Sequence, residues 1–194
     1  MIDREKYMVA ELVRYNKLKS DAYLLKDGSL EYQVHGIGKN KIDLKRFKNN
    51  YQFVVGVSKS FNPAYCVDKN GINNSNMIAE LPLYHRTPVQ MYDSPRIGDM
   101  NFAVWFLRIR DSKYTNNTFD GILKIEKILV NDDENENGLN TEEVDMITAN
   151  IINERNPVCY GADSRWANHL YPVYVTEKYI KSKYLGESMF LNLF

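Results

Sequence analysis

Helical and strand-like stretches interleave along this chain, and that alternation predicts an α/β or α+β protein. Three observations carry the prediction. Residues 3–18 place Tyr7, Met8, Leu12, Tyr15 and Leu18 at helical spacing. Residues 52–60, QFVVGVSKS, form a buried-type strand of β-formers, Phe53, Val54, Val55 and Val57, closed by Gly, Ser and Lys. Residues 141–154, TEEVDMITANIINE, read as a helix beginning at Thr141 with acidic residues following it, a loose capping-box pattern.

The remaining elements follow in order. Ser20-Asp21 ends the first helix. Residues 22–26 and 30–34 read as strands on either side of an Asp27-Gly28 turn. Residues 41–50, KIDLKRFKNN, read as a short basic helix. Residues 61–100, rich in Asn, Pro, Gly and Asp, read as one long irregular region of the kind that serves an active site or an interface. Residues 102–110 and 119–130 are expected to pair as a hairpin through the polar loop DSKYTNNT. The acidic run 132–138, DDENENG, reads as a solvated loop. A last helix follows residue 170, with Pro172 near its first turn.

Composition narrows the class. The hydrophobic share is 44% and the aromatic share 12%, enough for a packed core and contrary to disorder. Lys+Arg 25 balances Asp+Glu 25, so no global charge points to nucleic acid, and a nuclease that releases its substrate needs none. Cys66 and Cys159 make neither a disulfide framework nor a metal spacing, which suits a reducing compartment. No apolar run reaches the roughly 18 residues of a membrane span, and the charged start MIDREKYMVAEL is unlike a signal peptide. The expectation is a cytoplasmic protein without a membrane partner.

Two carboxylates stand out. Glu11 lies in the apolar stripe of the first helix, with Tyr7, Met8, Tyr15 and Leu18 around it. A carboxylate there is costly unless paired or metal-bound, and an ion pair with Arg14 or an edge position is the plain alternative. Asp27 ends a strand-like run, where it is either a rigidly mounted metal ligand or part of an ordinary Asp-Gly turn. A helix, a turn and a strand separate the two, so they can converge on a hard divalent cation such as Mg²⁺ or Mn²⁺. Lys59, just past a buried strand, is placed for a phosphate, or is simply solvated. Lys41, Lys45, Arg46 and Lys48 make a local basic patch, and His85 with Arg86 is a second possible phosphate contact. The three histidines, His35, His85 and His169, are too dispersed for a zinc motif. The chain has no G-x-x-x-x-G-K-[ST] and no G-x-S-x-G.

Several segments taken in order resemble a known family. A helical Glu is followed by LLKDGSL (24–30), VVGVSKS (54–60), a W-F-L-R-I strand, an Ile-Glu-Lys strand and LYPVYVTEKY (170–179). Over roughly residues 5–190 this resembles the NurA nucleases, whose fold is related to RNase H and to the Piwi domain of Argonautes. The resemblance implies a single α/β domain over 1–194, an RNase H-like mixed sheet flanked by helices. It implies an Mn²⁺- or Mg²⁺-dependent DNA nuclease acting on single strands and duplex ends. Such enzymes form homodimers and work with a hexameric HerA-type ATPase in end processing or phage defence. The family's helical metal-site Glu falls on Glu11, its Asp-Gly aspartate on Asp27, and the Tyr of its Tyr-Pro motif on Tyr171.

Two departures accompany the resemblance. The family's earlier Asp-Gly-Ser strand, which carries a first metal aspartate, has no counterpart in these 194 residues. Tyr179 stands where the family carries a His, with His169 on the other side of the motif. Three explanations are open: a carboxylate recruited from elsewhere (Glu31, Asp93 or Glu177), a split or truncated gene product, or a member that has lost catalysis. The corresponding alternative function is a NurA-like adaptor that dimerises and binds DNA or the ATPase. A guide-binding Piwi-like domain is a third, more distant reading.

Overall fold

The computed structural model describes residues 23–30, 49, 51–63, 66–67, 70–93, 101–154, 179–180 and 182–183. The expected helix over 3–18 lies outside them, as does most of the basic helix over 41–50 and of the last helix. The described residues form an α/β domain around a mixed five-stranded sheet. Its strands are β1 (Leu24–Asp27), β2 (Val54–Ser58), β3 (Gln90–Asp93), β4 (Asn101–Arg108) and β5 (Ile122–Leu129), in spatial order β1-β2-β5-β4-β3. Only β1 and β2 run parallel; β2–β5, β5–β4 and β4–β3 are antiparallel.

The sheet's two faces follow from the two-residue period of its strands. Val54, Phe102, Val104, Phe106, Ile122 and Ile128 face one way and share a core cluster with Leu30, Tyr51 and Ile78. Ile78 belongs to a short helix, α1 (Ser75–Ala79). Val55, Val57, Ala103, Trp105, Leu107, Leu123, Ile125 and Leu129 face the other way. That face is covered by α3 (Thr141–Glu154), through Val144, Ile147 and Ile151. The Trp105 indole donates 3.1 Å to the Thr148 hydroxyl, which itself donates 2.7 Å to the Val144 carbonyl, so the one polar atom of this large core residue is satisfied.

The hairpin of residues 102–110 and 119–130 is present, trimmed to β4 and β5 and paired from Asn101↔Leu129 to Arg108↔Ile122. Three expectations are corrected. The acidic run is no loop: Asp132–Asn137 form a helix, α2. Three acidic residues sit in its first turn, where they complement the helix dipole, and Glu134 Oε2 accepts from Val130 N at 3.0 Å. Helix α3 occupies the expected 141–154, but its cap is Asn140, whose side chain accepts 2.8 Å from Glu142 N; Thr141 is already helical. The region 61–100 is not wholly irregular, because it holds α1 and the edge strand β3, which pairs Gln90↔Val104 and Tyr92↔Phe102. Leu30, the first residue of the strand expected over 30–34, packs back over the sheet, and residues 31–34 lie outside the described residues.

That fold-back depends on a glycine. Gly56 lies beneath the turn, and a Cβ there would meet Leu30 Cγ at 2.8 Å and the Gly28 carbonyl oxygen at 3.0 Å. Gly56→Ala is therefore expected to lower stability by about 1–3 kcal/mol through overpacking, measured by urea unfolding with an unchanged m-value.

Candidate functional site

The segment LLKDGSL ends β1 and turns over the sheet edge. Asp27 pairs in register with Val57, and Gly28 N donates 2.9 Å to the Val57 carbonyl, extending the parallel ladder by one bond. Gly28 then turns at φ 86°, a conformation that glycine adopts without steric cost. The chain comes down on Glu126, in the middle of β5. One oxygen of that carboxylate, Oε2, accepts from Ser29 Oγ at 2.8 Å and from Leu30 N at 2.7 Å. The other, Oε1, pairs with the Lys124 ammonium. Glu126 is only 2% exposed, and these contacts are what make a buried carboxylate tolerable.

The adjacent residue Lys127 repeats the arrangement on the opposite face. Its ammonium is 3.4 Å from Glu134 of α2 and 3.4 Å from Glu143 of α3. Glu143 also accepts from the Tyr23 hydroxyl, just before β1. Burial, reinforced by Glu143, pushes the Tyr23 phenol well above the usual tyrosine range.

The sequence-predicted residues divide three ways. Glu11, Tyr171, Lys45 and Arg46 lie outside the described residues. Asp27 and Lys59 are both exposed, Asp27 at the carboxyl end of β1 and Lys59 immediately past the carboxyl end of β2. These two strands are parallel neighbours, so the carboxylate and the ammonium share one edge of the sheet. Arg86 is elsewhere: its guanidinium is 2.7 Å from Asp145 of α3 and donates 3.0 Å to the Thr87 carbonyl. By strand alternation Asp27 and Glu126 belong to opposite faces, so β1 and β5 do not pool their carboxylates. Among the described residues, no group of three His, Cys, Asp or Glu, Asp27 included, could hold a metal ion. A cation site there needs ligands beyond the described residues. No helix among them is long and apolar enough to cross a membrane.

Sequence reasoning missed the carboxylate that organises this edge. Glu126 sits in ILKIEKIL, three charges inside a strand otherwise made of Ile and Leu, and that contrast was the available signal.

Two outcomes follow. Glu126→Ala leaves Lys124 and the Leu30 amide without their acceptor. It should lower stability by roughly 2 kcal/mol, discounted because Lys124 reaches solvent, and should speed amide exchange at Leu30 by native-state hydrogen exchange. Tyr23 retains its proton in the folded protein after the unfolded chain has lost it. The unfolded state then binds fewer protons and stability falls as pH rises above the ordinary tyrosine value. Tyr23→Phe should therefore show a shallower alkaline loss, by up to about 1.4 kcal/mol per pH unit, in urea unfolding series taken above pH 10.

No protein-family model matches the chain, and no curated protein matches it in sequence. Among solved structures it is similar to the NurA nuclease from Sulfolobus solfataricus, at 10% identity and a TM-score of 0.48, over 86% of this chain and 57% of that one. The chain thus spans a little over half the length of that nuclease.

Proposed function

We propose that this chain is a NurA-like, divalent-metal-dependent DNA nuclease in which Glu11 and Asp27 supply metal ligands and Lys59 contacts a phosphate. The observation that carries the reading is the mounting of Asp27. It ends a parallel strand, faces solvent, and is followed by a turn held at Gly28, Ser29 and Leu30 by three hydrogen bonds. A backbone held in this way fixes where the carboxylate is mounted, as a ligand-binding group requires. Lys59 at the end of the neighbouring strand adds a cation at the same edge, suited to a phosphate oxygen.

Carboxylate oxygens are ligands for Mg²⁺ or Mn²⁺, ions that activate water and neutralise charge on a phosphodiester. In this reading Tyr171 positions the scissile phosphate, and Lys45, Arg46 and Arg86 extend the backbone contacts, Arg86 after release from Asp145. Single strands and duplex ends are the substrates. A homodimer working with a HerA-type ATPase, in end processing or phage defence, is the accompanying assembly.

The test is cleavage of labelled single-stranded and duplex DNA in Mn²⁺, Mg²⁺ or EDTA, with wild type beside Asp27→Asn. Cleavage in either metal, absent in EDTA and lost in Asp27→Asn with unchanged thermal unfolding, is the expected result. Full activity in the variant would remove Asp27 from the site. A folded wild type that cuts nothing in any metal would replace the nuclease by the adaptor, read next by its binding to DNA and to the ATPase.

A further inference from the structure

The sheet face opposite Asp27 carries a cavity of about 580 Å³, within the range of small-ligand sites. Its floor is a register grid. Ser58, Lys124 and Phe106 lie side by side on β2, β5 and β4, and Val104 and Gln90 lie side by side on β4 and β3. With strands about 4.8 Å apart, the row from β2 to β4 makes a floor roughly 10 Å across. Phe61 and Tyr92 also line the cavity, and Phe61 is braced by Phe106 at 5.0 Å and by Phe119 at 6.1 Å in an edge-on arrangement.

The lining selects a ligand chemistry. Aromatic walls favour a flat ring system. The hydroxyl of Ser58 and the amide of Gln90 donate and accept, so they suit a ring with polar atoms on its edge. A purely hydrocarbon ring would leave those groups unpaired at a cost. Lys124 is the one charged residue among the described residues of the lining, and Glu126 already neutralises it. Among the described lining residues the charge is balanced, which gives a free phosphate little advantage there over an uncharged ligand. Cys66, also in the lining, is held as an inert thiol, since burial pushes its pKa up.

We propose that this cavity binds a nucleobase, an uncharged planar heteroaromatic seated among Phe61, Phe106 and Tyr92, with polar atoms of its rim directed to Ser58 at the β2 side of the floor and, across it, to Gln90 at the β3 side. The site lies across the sheet from Asp27 and does not depend on the nuclease reading.

The experiment is calorimetric and NMR titration of the full chain with adenosine in EDTA, so that metal chemistry plays no part. Adenosine should bind and shift the ring resonances of Phe61 and Phe106. Phe61→Ala should weaken binding on the order of tenfold or more, and Val104→Trp, which fills the cavity, should abolish it. Near-UV circular dichroism checks that both variants are folded; if Val104→Trp is not, Phe61→Ala decides alone. Competition by an eight-residue oligo(dA) would identify a base presented within a strand, and its failure a free nucleoside. Absence of adenosine binding, or binding undiminished in folded Phe61→Ala, would overturn the proposal. So would equal competition by ribose 5-phosphate, which marks a phosphate site, or by N-acetyltyrosinamide, which marks a pocket for peptide aromatics.

Discussion

Strand β5 buries two opposite charges on consecutive residues, Glu126 and Lys127, and the strand's pleat sends them to opposite faces of the sheet. Each must be answered inside the protein, because an isolated buried charge costs several kcal/mol or more. Glu126 is answered by Lys124 and by the Ser29–Leu30 turn. Lys127 is answered by Glu134 and Glu143, which belong to two successive helices. Ion pairs of this kind add little net stability over well-packed apolar residues, but they penalise any arrangement in which one partner is missing. Their effect is on specificity: the loop after β1 and the helices after β5 are held where the charges require them.

The edge that carries Asp27 follows from that constraint. Strand β1 is only four residues long and, among the described residues, pairs with β2 alone, a parallel ladder that holds it weakly. Tyr23 before the strand reaches Glu143 on one face, and Ser29 and Leu30 after it reach Glu126 on the other. The strand is pinned at both ends through the two charges of β5. Asp27 lies between the pins and remains exposed, the combination that a ligand-binding carboxylate needs.

The same geometry shapes the opposite face. Gly56 stands opposite Glu126 in the β2–β5 register and leaves room for Leu30 to fold over the sheet. One row further on, Ser58, Lys124 and Phe106 stay uncovered enough to line a cavity. Arg108, fully buried at the end of β4, gives this side its other border. It donates to the carbonyls of Ala79, Leu81 and Thr118, and so ties the end of α1 and the hairpin loop to the sheet.

Local pattern was enough for the elements whose own residues decide them. The Val-rich β2, the long β4–β5 hairpin and the amphipathic α3 were legible because two- and 3.6-residue periods are properties of the chain itself. The Asp-Gly turn was legible for the same reason. Helix α2 was not, because its residues are polar all round and its start depends on Glu134 reaching back to Val130. Strand β3 was not, because four residues make a strand only when β4 offers its edge. The partners of Glu126 and Lys127 were hidden for the deepest reason. They lie up to 97 positions away along the chain, and only the sheet order β1-β2-β5 brings Ser29 and Leu30 onto a carboxylate of β5. The sequence by itself determined which segments are apolar, where they turn, and that Asp27 ends a strand. The tertiary structure decided which charges are buried, what neutralises them, and that Asp27 lies on the face of Lys127 and not of Glu126, because those are matters of distance between segments that no local pattern encodes.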